Sequence, residues 1–266
     1  MFKKTNYLDS NEVLNILKIK YKKIISKIEN FDLQVEIVDK KKTLELSFSS
    51  TPILTISRNT NLNSKQIKYL INALKLRKLN LESKRLIIKP IDFDVIDEYL
   101  IFSTDFDTQD KAGDKVITEI SDAKLEIEES KKYGYSYSII NKIENKFIGC
   151  VIFYPKSIGF EIGYSISKDY RRKGYTFEAC NTLIKYAFSN TNIKVIYARH
   201  FPNNDASMNL LYKLGFKYQN YVENSFFHRG KEKYMPTYNY FLTKKRYFLN
   251  NCYRYINGYF AKKDSK

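Results

Sequence analysis

The sequence has few of the side chains that most often form crosslinks or bind metals. Its three cysteines, Cys150, Cys180 and Cys252, lie far apart and form no CxxC pair, so neither a disulfide framework nor a zinc site is expected. Only two histidines are present, His200 and His228, which leaves little material for a histidine-centred triad or a metal cluster. Any catalysis must therefore use other groups, and we expect no metal.

Long apolar runs are also missing. No run approaches the roughly 18 residues that a membrane-spanning helix needs, and the start, Met1-Phe-Lys-Lys-Thr, lacks the apolar stretch of a signal peptide. The hydrophobic fraction of 43% in 266 residues nevertheless suffices for a buried core. We therefore expect a soluble, cytoplasmic protein with no membrane partner.

Charge is distributed unevenly along the chain, whose formal net charge is +17. Residues 1–80 contain 16 Lys and Arg against 7 Asp and Glu, a net charge of +9. Residues 92–129 contain 13 acidic residues against Lys111, Lys115 and Lys124, a net charge of −10. A basic protein often binds nucleic acid, but abundant Lys, Ile, Asn and Tyr are also what an AT-rich coding sequence produces. Both interpretations stay open.

Residues 1–80 predict a small basic α+β domain with the order helix, three strands, helix. The elements follow from helical or alternating apolar spacing at Leu14–Ile28, Leu33–Ile37, Leu44–Phe48, Pro52–Ser57 and Ile67–Leu74. This order resembles the double-stranded-RNA-binding domain, although many small domains share it. Binding of RNA or the ribosome through residues 1–80 is therefore one hypothesis. The polar, basic segment Lys75–Glu82 marks the boundary of this domain.

Residues 81–247 predict a larger α/β (α+β) domain with a mixed, twisted central sheet flanked by helices. Residues 248–266 form a basic, aromatic tail to which no function is assigned. Strand patterns occur at 86–91, 135–140, 146–154, 159–166, 193–199, 216–222 and 238–242, and helix patterns at 95–102, 116–132, 174–188 and 205–214.

An ordered series of short motifs lies in this larger domain. The series is Ser83-Lys-Arg-Leu-Ile-Ile-Lys-Pro, Phe147-Ile-Gly-Cys, Glu161-Ile-Gly-Tyr-Ser-Ile, Arg171-Arg-Lys-Gly-Tyr-Thr-Phe-Glu-Ala, Asn204-Asp-Ala-Ser and Leu214-Gly-Phe. In order and spacing it resembles the GNAT superfamily of N-acetyltransferases, most closely the RimJ and RimL branch that acetylates ribosomal proteins. The resemblance covers about residues 82–246. It implies the GNAT fold and an acetyl-CoA-dependent transferase.

The resemblance implies that the loop from Arg171 to Thr176 holds the diphosphate of acetyl-CoA. A loop that leads into a helix points several unpaired N–H groups and the positive end of the helix dipole at one spot, where a diphosphate accepts them. Two positions depart from the pattern, because Arg172 replaces the usual Gly and Thr176 replaces Gly or Ala. The implied cofactor-binding residues are Ile166, Arg171, Arg172, Lys173, Gly174, Tyr175, Thr176 and Asn204.

The resemblance also suggests two catalytic residues. Glu161 stands where these enzymes often place a carboxylate that takes the proton of the acceptor amine, and Ser207 is the candidate donor of a proton to the CoA thiolate. Asn204 is at the same time a good N-cap for the helix that follows it. Many relatives use a tyrosine as the acid, but Leu211 occupies that position here, and Tyr212 is rotated away by one helical step.

We therefore expect an acetyl-CoA-dependent N-acetyltransferase that acts on a primary amine, either a protein N-terminus or another cationic amine. The acidic segment 92–129 falls where this fold builds the acceptor wall, which suggests a cationic acceptor. One alternative is a transferase for a small amine such as a polyamine or an aminosugar. The other is a nucleic-acid- or ribosome-binding protein whose GNAT domain is degenerate and non-catalytic.

Overall fold

The structure, a computed structural model, describes residues 36–40, 43–48, 51–57, 76, 78–133, 135–156 and 159–250. The chain divides into two compact units, Met1–Leu74 and Lys75–Lys266. In the first unit, strands β1 (Glu36–Lys40), β2 (Thr43–Phe48) and β3 (Thr51–Ser57) form an antiparallel sheet, as the alternating apolar residues predict. The two helices predicted for this unit, and the tail after residue 250, lie outside the described residues.

The second unit is built on an eight-stranded sheet with the order β10-β11-β9-β8-β7-β6-β5-β4. Its strands are β4 (Leu81–Glu82), β5 (Leu86–Pro90), β6 (Ser136–Asn141), β7 (Lys146–Pro155), β8 (Phe160–Ile166), β9 (Val195–His200), β10 (Lys217–His228) and β11 (Lys233–Thr243). Only β8 and β9 pair in parallel among these strands, and the other neighbours are antiparallel. The predicted mixed α/β sheet is confirmed.

Five α-helices accompany this sheet in the described part of the second unit, and residues 244–250 are also helical. They are α1 (Ile96–Thr104), α2 (Phe106–Ala112), α3 (Ile120–Tyr133), α4 (Tyr175–Asn190) and α5 (Asp205–Leu214). Every residue of β6 is buried, which requires cover on both faces of the sheet. The predicted arrangement of a sheet flanked by helices is therefore confirmed.

Two apolar clusters hold the helices to the sheet. α1 and α3 contribute Phe102 and Ile127 to a cluster that also contains Ile140 and Phe147 of the sheet. α4 buries a stripe at helical spacing, made of Ala179, Cys180, Leu183, Ile184, Ala187 and Phe188. This stripe packs the helix against the sheet and thereby fixes where its N-terminus points.

Helix α2 was not predicted. Its sequence, Phe-Asp-Thr-Gln-Asp-Lys-Ala, has no apolar periodicity, so a search for amphipathic patterns passes over it. The capping signals were nevertheless present. The Asp105 side chain accepts a hydrogen bond from the Thr108 N–H, and Gly113 ends the helix in the left-handed conformation with φ of 83°.

The N-terminal end of the second unit lies within its core. Leu76 is fully buried, Leu79 is 7% exposed, and the Tyr137 hydroxyl donates a hydrogen bond to the Leu76 carbonyl. We therefore propose that this domain begins before Leu76 and not near Asn80.

A chain that begins at Lys75 is expected to fold stably, and one that begins at Asn80 to melt at a lower temperature. Burial of one leucine contributes about 1.5–3 kcal/mol, so the loss of Leu76 and Leu79 costs several kcal/mol. Thermal unfolding followed by circular dichroism measures the difference. Equal melting temperatures for the two chains would show that neither leucine belongs to this core.

Candidate functional site

The site is built on the divergence of β8 and β9. The two strands pair only at Phe160 with Ile196 and at Glu161 with Tyr197, although β8 continues to Ile166 and β9 to His200. On its other edge β8 pairs with β7 along its whole length, from Phe160 to Ile166. The edge of β8 that faces β9 is therefore left without strand partners beyond Glu161. Backbone groups on such an edge are available to a ligand.

Two cavities lie at this divergence and share a wall. The larger has a volume of about 680 Å³ and the smaller about 100 Å³. The shared wall consists of Lys111, Ala112, Tyr164, Ser165, Asn204 and Ser207.

The larger cavity contains most of the predicted cofactor-binding residues. It is lined by Ile166, Arg171, Arg172, Gly174, Thr176, Asn204 and Ser207. The side chains of the two remaining residues pack elsewhere. The Lys173 ammonium lies 5.4 Å from the centre of the Tyr170 ring, and the Arg85 guanidinium carbon lies 4.3 Å from the centre of the Tyr175 ring. Lys173 and Tyr175 do not line this cavity.

The loop before α4 presents the start of that helix to the cavity. Gly174 is the N-cap residue with φ of 80°, and no side chain caps the helix there. The first-turn N–H groups are therefore left for an anion, which the helix dipole also favours. Arg172 has φ of 61°, the left-handed conformation in which a glycine causes no steric cost. This conformation explains why the related pattern has Gly at that position.

Arg171 connects this loop to α2. Its guanidinium forms ion pairs with Asp105 and Asp107 and donates a hydrogen bond of 2.6 Å to the Thr108 hydroxyl. Arg171 is therefore held by three acceptors at the start of α2. The larger cavity is also lined by two cations that no sequence motif indicated, Lys111 and Lys213.

Glu178 fastens the first turn of α4 to the start of the domain. One of its oxygens accepts hydrogen bonds of 2.8 Å from both the Ser83 hydroxyl and the Arg85 backbone N–H, and the other accepts one of 2.6 Å from the Arg85 guanidinium. Burial by itself raises the pKa of Glu178, but the hydrogen bonds from Arg85 and Ser83 outweigh this effect and lower it. Arg85 also donates to the Lys173 carbonyl at 3.0 Å and so supports the loop.

Glu161 borders the smaller cavity, but its carboxylate is engaged by two cations. The Arg199 guanidinium donates to both oxygens, at 2.7 and 2.6 Å, and the Lys156 ammonium lies 3.0 Å from Oε2. Both oxygens of Glu161 are therefore already engaged by cations. The predicted role of Glu161 as a base stays a prediction, and its ion pairs are the reason to test a second carboxylate.

Asp114 is that second carboxylate. It lines the smaller cavity, and its surroundings raise its pKa, chiefly by removing hydration. Arg229 opposes this shift from 3.3 Å, whereas Glu126 adds to it. Although 45% of the Asp114 side chain remains exposed, the effect of burial on the pKa outweighs the attraction of Arg229. No sequence motif indicated this residue.

His200 and Cys150 also line the smaller cavity. His200 has both ring nitrogens engaged, Nδ1 with the Phe201 carbonyl at 2.8 Å and Nε2 with the Tyr240 hydroxyl at 3.0 Å. Burial raises the pKa of Cys150 to about 12, so this thiol stays protonated near neutral pH.

The start of α5 places Asn204 and Ser207 on the shared wall. The Asn204 side-chain oxygen accepts a hydrogen bond of 3.1 Å from the Ser207 N–H, which confirms the predicted N-cap. Tyr212 lines neither cavity; its side chain packs edge-on against Tyr240 with ring centres 5.8 Å apart. The expected rotation of Tyr212 away from the site is therefore confirmed.

Ion pairs offset much of the negative charge of the acidic segment 92–129. At least seven of its 13 acidic residues form ion pairs. These pairs join Asp92 to Lys131, Asp94 to Lys89, Asp105 to Arg171, Asp107 to both Lys111 and Arg171, Asp110 to His228 and Lys231, and both Asp114 and Glu126 to Arg229. The expected attraction of a cationic acceptor by this segment is correspondingly reduced.

Among the described residues, no helix has the length and apolar character that crossing a membrane requires. The same residues contain no group of three or more His, Cys, Asp or Glu arranged to hold a metal ion.

Comparison with known proteins points to one family. The sequence profile described as "Acetyltransferase (GNAT) domain" matches residues 85–217. The chain is 27% identical over 149 residues to the uncharacterized N-acetyltransferase YnaD of Bacillus subtilis (strain 168), which is 54% of this chain and 86% of that protein. It is 36% identical over 63 residues to the ribosomal protein uS5-alanine N-acetyltransferase of Escherichia coli (strain K12), which is 24% of this chain and 32% of that protein.

A solved structure supports the fold. The spermidine N-acetyltransferase from Vibrio cholerae, crystallised in complex with CoA and spermine, superposes with a TM-score of 0.54 at 13% identity. The match covers 62% of this chain and 99% of that chain. At this identity the likeness concerns the fold alone.

Replacement of Glu178 by Gln is expected to lower the melting temperature at pH 7. Because the pKa of Glu178 is lower in the folded than in the unfolded chain, its stabilising effect is full above the ordinary value of 4.5 and is lost as the pH falls through the lowered value. The difference between wild type and variant should therefore shrink below about pH 4.5. Thermal melts at pH 7 and pH 4 measure this change; a difference independent of pH would contradict the assignment.

Proposed function

The chain belongs to the acetyltransferase (GNAT) family, which matches half of it, and from this membership we propose that it moves an acetyl group from acetyl-CoA to the N-terminal amine of a protein. The predicted GNAT family and an acetyltransferase enzyme are confirmed. The 63-residue similarity to the uS5-alanine N-acetyltransferase supports the predicted ribosomal-protein branch. The identity of the acceptor and the roles of individual residues are our proposals.

The choice of acetyl-CoA as the acetyl donor rests on the uncapped start of α4, which lies beside the edge of β8 that diverges from β9. Free first-turn N–H groups suit a diphosphate, and the large cavity has room for an elongated ligand that runs from this loop towards Ser207. Arg172 and Lys213 add positive charge along it, whereas Arg171 and Lys111 form ion pairs with Asp105 and Asp107. The acetyl-CoA thioester supplies an activated acetyl group at the junction of the two cavities.

The smaller cavity supports a small acceptor group. Its volume of about 100 Å³, against about 680 Å³ for the larger cavity, suits an amino group and a short side chain. Its charged lining is balanced, with Asp114 and Glu161 against Lys111 and Arg199. A polyamine would gain from several unpaired carboxylates, whereas a protein N-terminus presents one amine on a larger body. This balance favours the protein N-terminus over the polyamine.

A relative supports the same acceptor class. The uS5-alanine N-acetyltransferase is named for a ribosomal protein as its acceptor, while the spermidine N-acetyltransferase shares the fold and is named for a polyamine. Binding of RNA or the ribosome through residues 1–80 remains a prediction. With a net charge of +9, those residues would help to bring the second unit to a ribosomal acceptor.

We assign the acid–base roles to residues of the shared wall and the smaller cavity. Asp114, whose pKa is raised by burial, takes the proton of the attacking amine, and Ser207 assists proton delivery to the sulfur. Glu161 holds Arg199 and Lys156 in place beside the acceptor. Asp114 is thus our alternative to Glu161, whose predicted role as the base stays a prediction.

Replacement of Gly174 by Glu is expected to abolish acetyl-CoA binding, because a carboxylate would lie where the diphosphate binds. Gly174→Ala is the matched control: it imposes the same strain at φ of 80° without a charge, and should weaken binding only modestly. Titration calorimetry measures both. Wild-type affinity in Gly174→Glu, or equal losses in the two variants, would contradict the anion site.

The pH dependence of turnover distinguishes the roles of Asp114 and Glu161. The acceptor in this assay is a peptide whose N-terminal residue is alanine. Asp114→Asn should depress kcat/KM most near neutral pH and recover partly as the pH rises, since more of the amine is then already neutral. Glu161→Gln should lower the melting temperature and show no such recovery, because it disrupts ion pairs. Recovery in Glu161→Gln alone would return the role of base to Glu161.

A further inference from the structure

A buried hydroxyl without a partner marks the wall between the cavities. Among the described residues, two buried side-chain polar atoms make no hydrogen bond, Ser138 Oγ and Tyr164 Oη. Ser138 lines neither cavity, whereas Tyr164 lines both, beside Asn204 and Ser207. Leaving a buried hydroxyl unpaired costs folding free energy. A ligand that brings a hydrogen-bond acceptor to this wall would offset that cost.

We propose that the Tyr164 hydroxyl donates a hydrogen bond to the thioester of bound acetyl-CoA. This inference rests on the proposed function and adds a residue that the family motifs did not indicate as functional. Tyr164 lies on β8 after the last pair with β9, so no strand covers that edge beside it. The two cavities meet at Tyr164, where donor and acceptor groups must also meet.

Tyr164 keeps its proton while it acts. Burial raises the pKa of its hydroxyl far above the ordinary value of 10, and the Ser207 hydroxyl on the same wall opposes this rise. A free thiol has a pKa of about 8.5, so a departing thiolate is too weak a base to remove this proton. As the nitrogen–carbon bond forms and the carbon–sulfur bond breaks, Tyr164 stabilises the developing negative charge, and the proton for sulfur comes through Ser207 or solvent.

The experiment compares Tyr164→Phe with Tyr137→Phe. Both remove one hydroxyl, but the Tyr137 hydroxyl donates to the Leu76 carbonyl and borders neither cavity. Without ligand, Tyr164→Phe should melt at or above the wild-type temperature, since it deletes an unpaired group, and Tyr137→Phe should melt lower. Circular dichroism measures both.

Calorimetric titration with acetyl-CoA and with desulfo-CoA, which lacks the sulfur and the acetyl group, tests the contact without turnover. Tyr164→Phe should bind acetyl-CoA about threefold to tenfold more weakly and desulfo-CoA as the wild type does. Tyr137→Phe should bind both probes normally. Turnover with the alanine peptide should fall about tenfold or more in Tyr164→Phe alone.

Two results would overturn the inference while the proposed function stands: wild-type affinity of Tyr164→Phe for acetyl-CoA, or an equal loss for both probes, which would indicate packing. Wild-type protein that binds neither probe would instead refute the acetyl-CoA site, and the inference with it.

Discussion

The site depends on the partial pairing of β8 and β9, which pair at two positions and diverge beyond them. Gly159 brings the start of β8 so close to β9 that a Cβ there would lie 2.2 Å from the Val195 carbonyl oxygen. Two residue pairs follow, and then the strands diverge. Because β7 supports the opposite edge of β8 throughout, the divergence leaves a stable, half-paired strand and not a frayed one. Both cavities lie at this opening.

The loop and helices around the opening are positioned by contacts from distant parts of the chain. Glu178 ties α4 to Ser83 and Arg85, and Arg171 ties the loop before α4 to α2. Since the N-terminus of α4 is left uncapped, its donors remain free for an anion at the end of the opening. The smaller cavity is framed by ion pairs, which leaves its charge nearly balanced.

Periodic patterns predicted the sheet and the long helices of the second unit, because burial enforces them locally. α2 was missed because its contacts are polar, although Asp105 and Gly113 bracket it with capping signals. The loop from Arg171 to Thr176 was predicted as a diphosphate site because its motif resembles that of the family. The partners of Glu161 could not be found in this way, since Arg199 lies 38 residues away and meets it only when β8 pairs with β9. Tyr164 likewise acquires its significance from a cavity, which no local pattern encodes.

The central claim is that acetyl-CoA occupies the gap between β8 and β9. Hydrogen–deuterium exchange of the wild-type protein with and without acetyl-CoA tests it most directly, because the amides concerned have no strand or capping partner until ligand binds. Slower exchange on addition of acetyl-CoA is the predicted result for the amides of Gly163–Ile166 that face β9, since β7 binds only the opposite edge of β8, and for those of Tyr175–Phe177. Unchanged exchange in both segments at saturating acetyl-CoA would contradict the account.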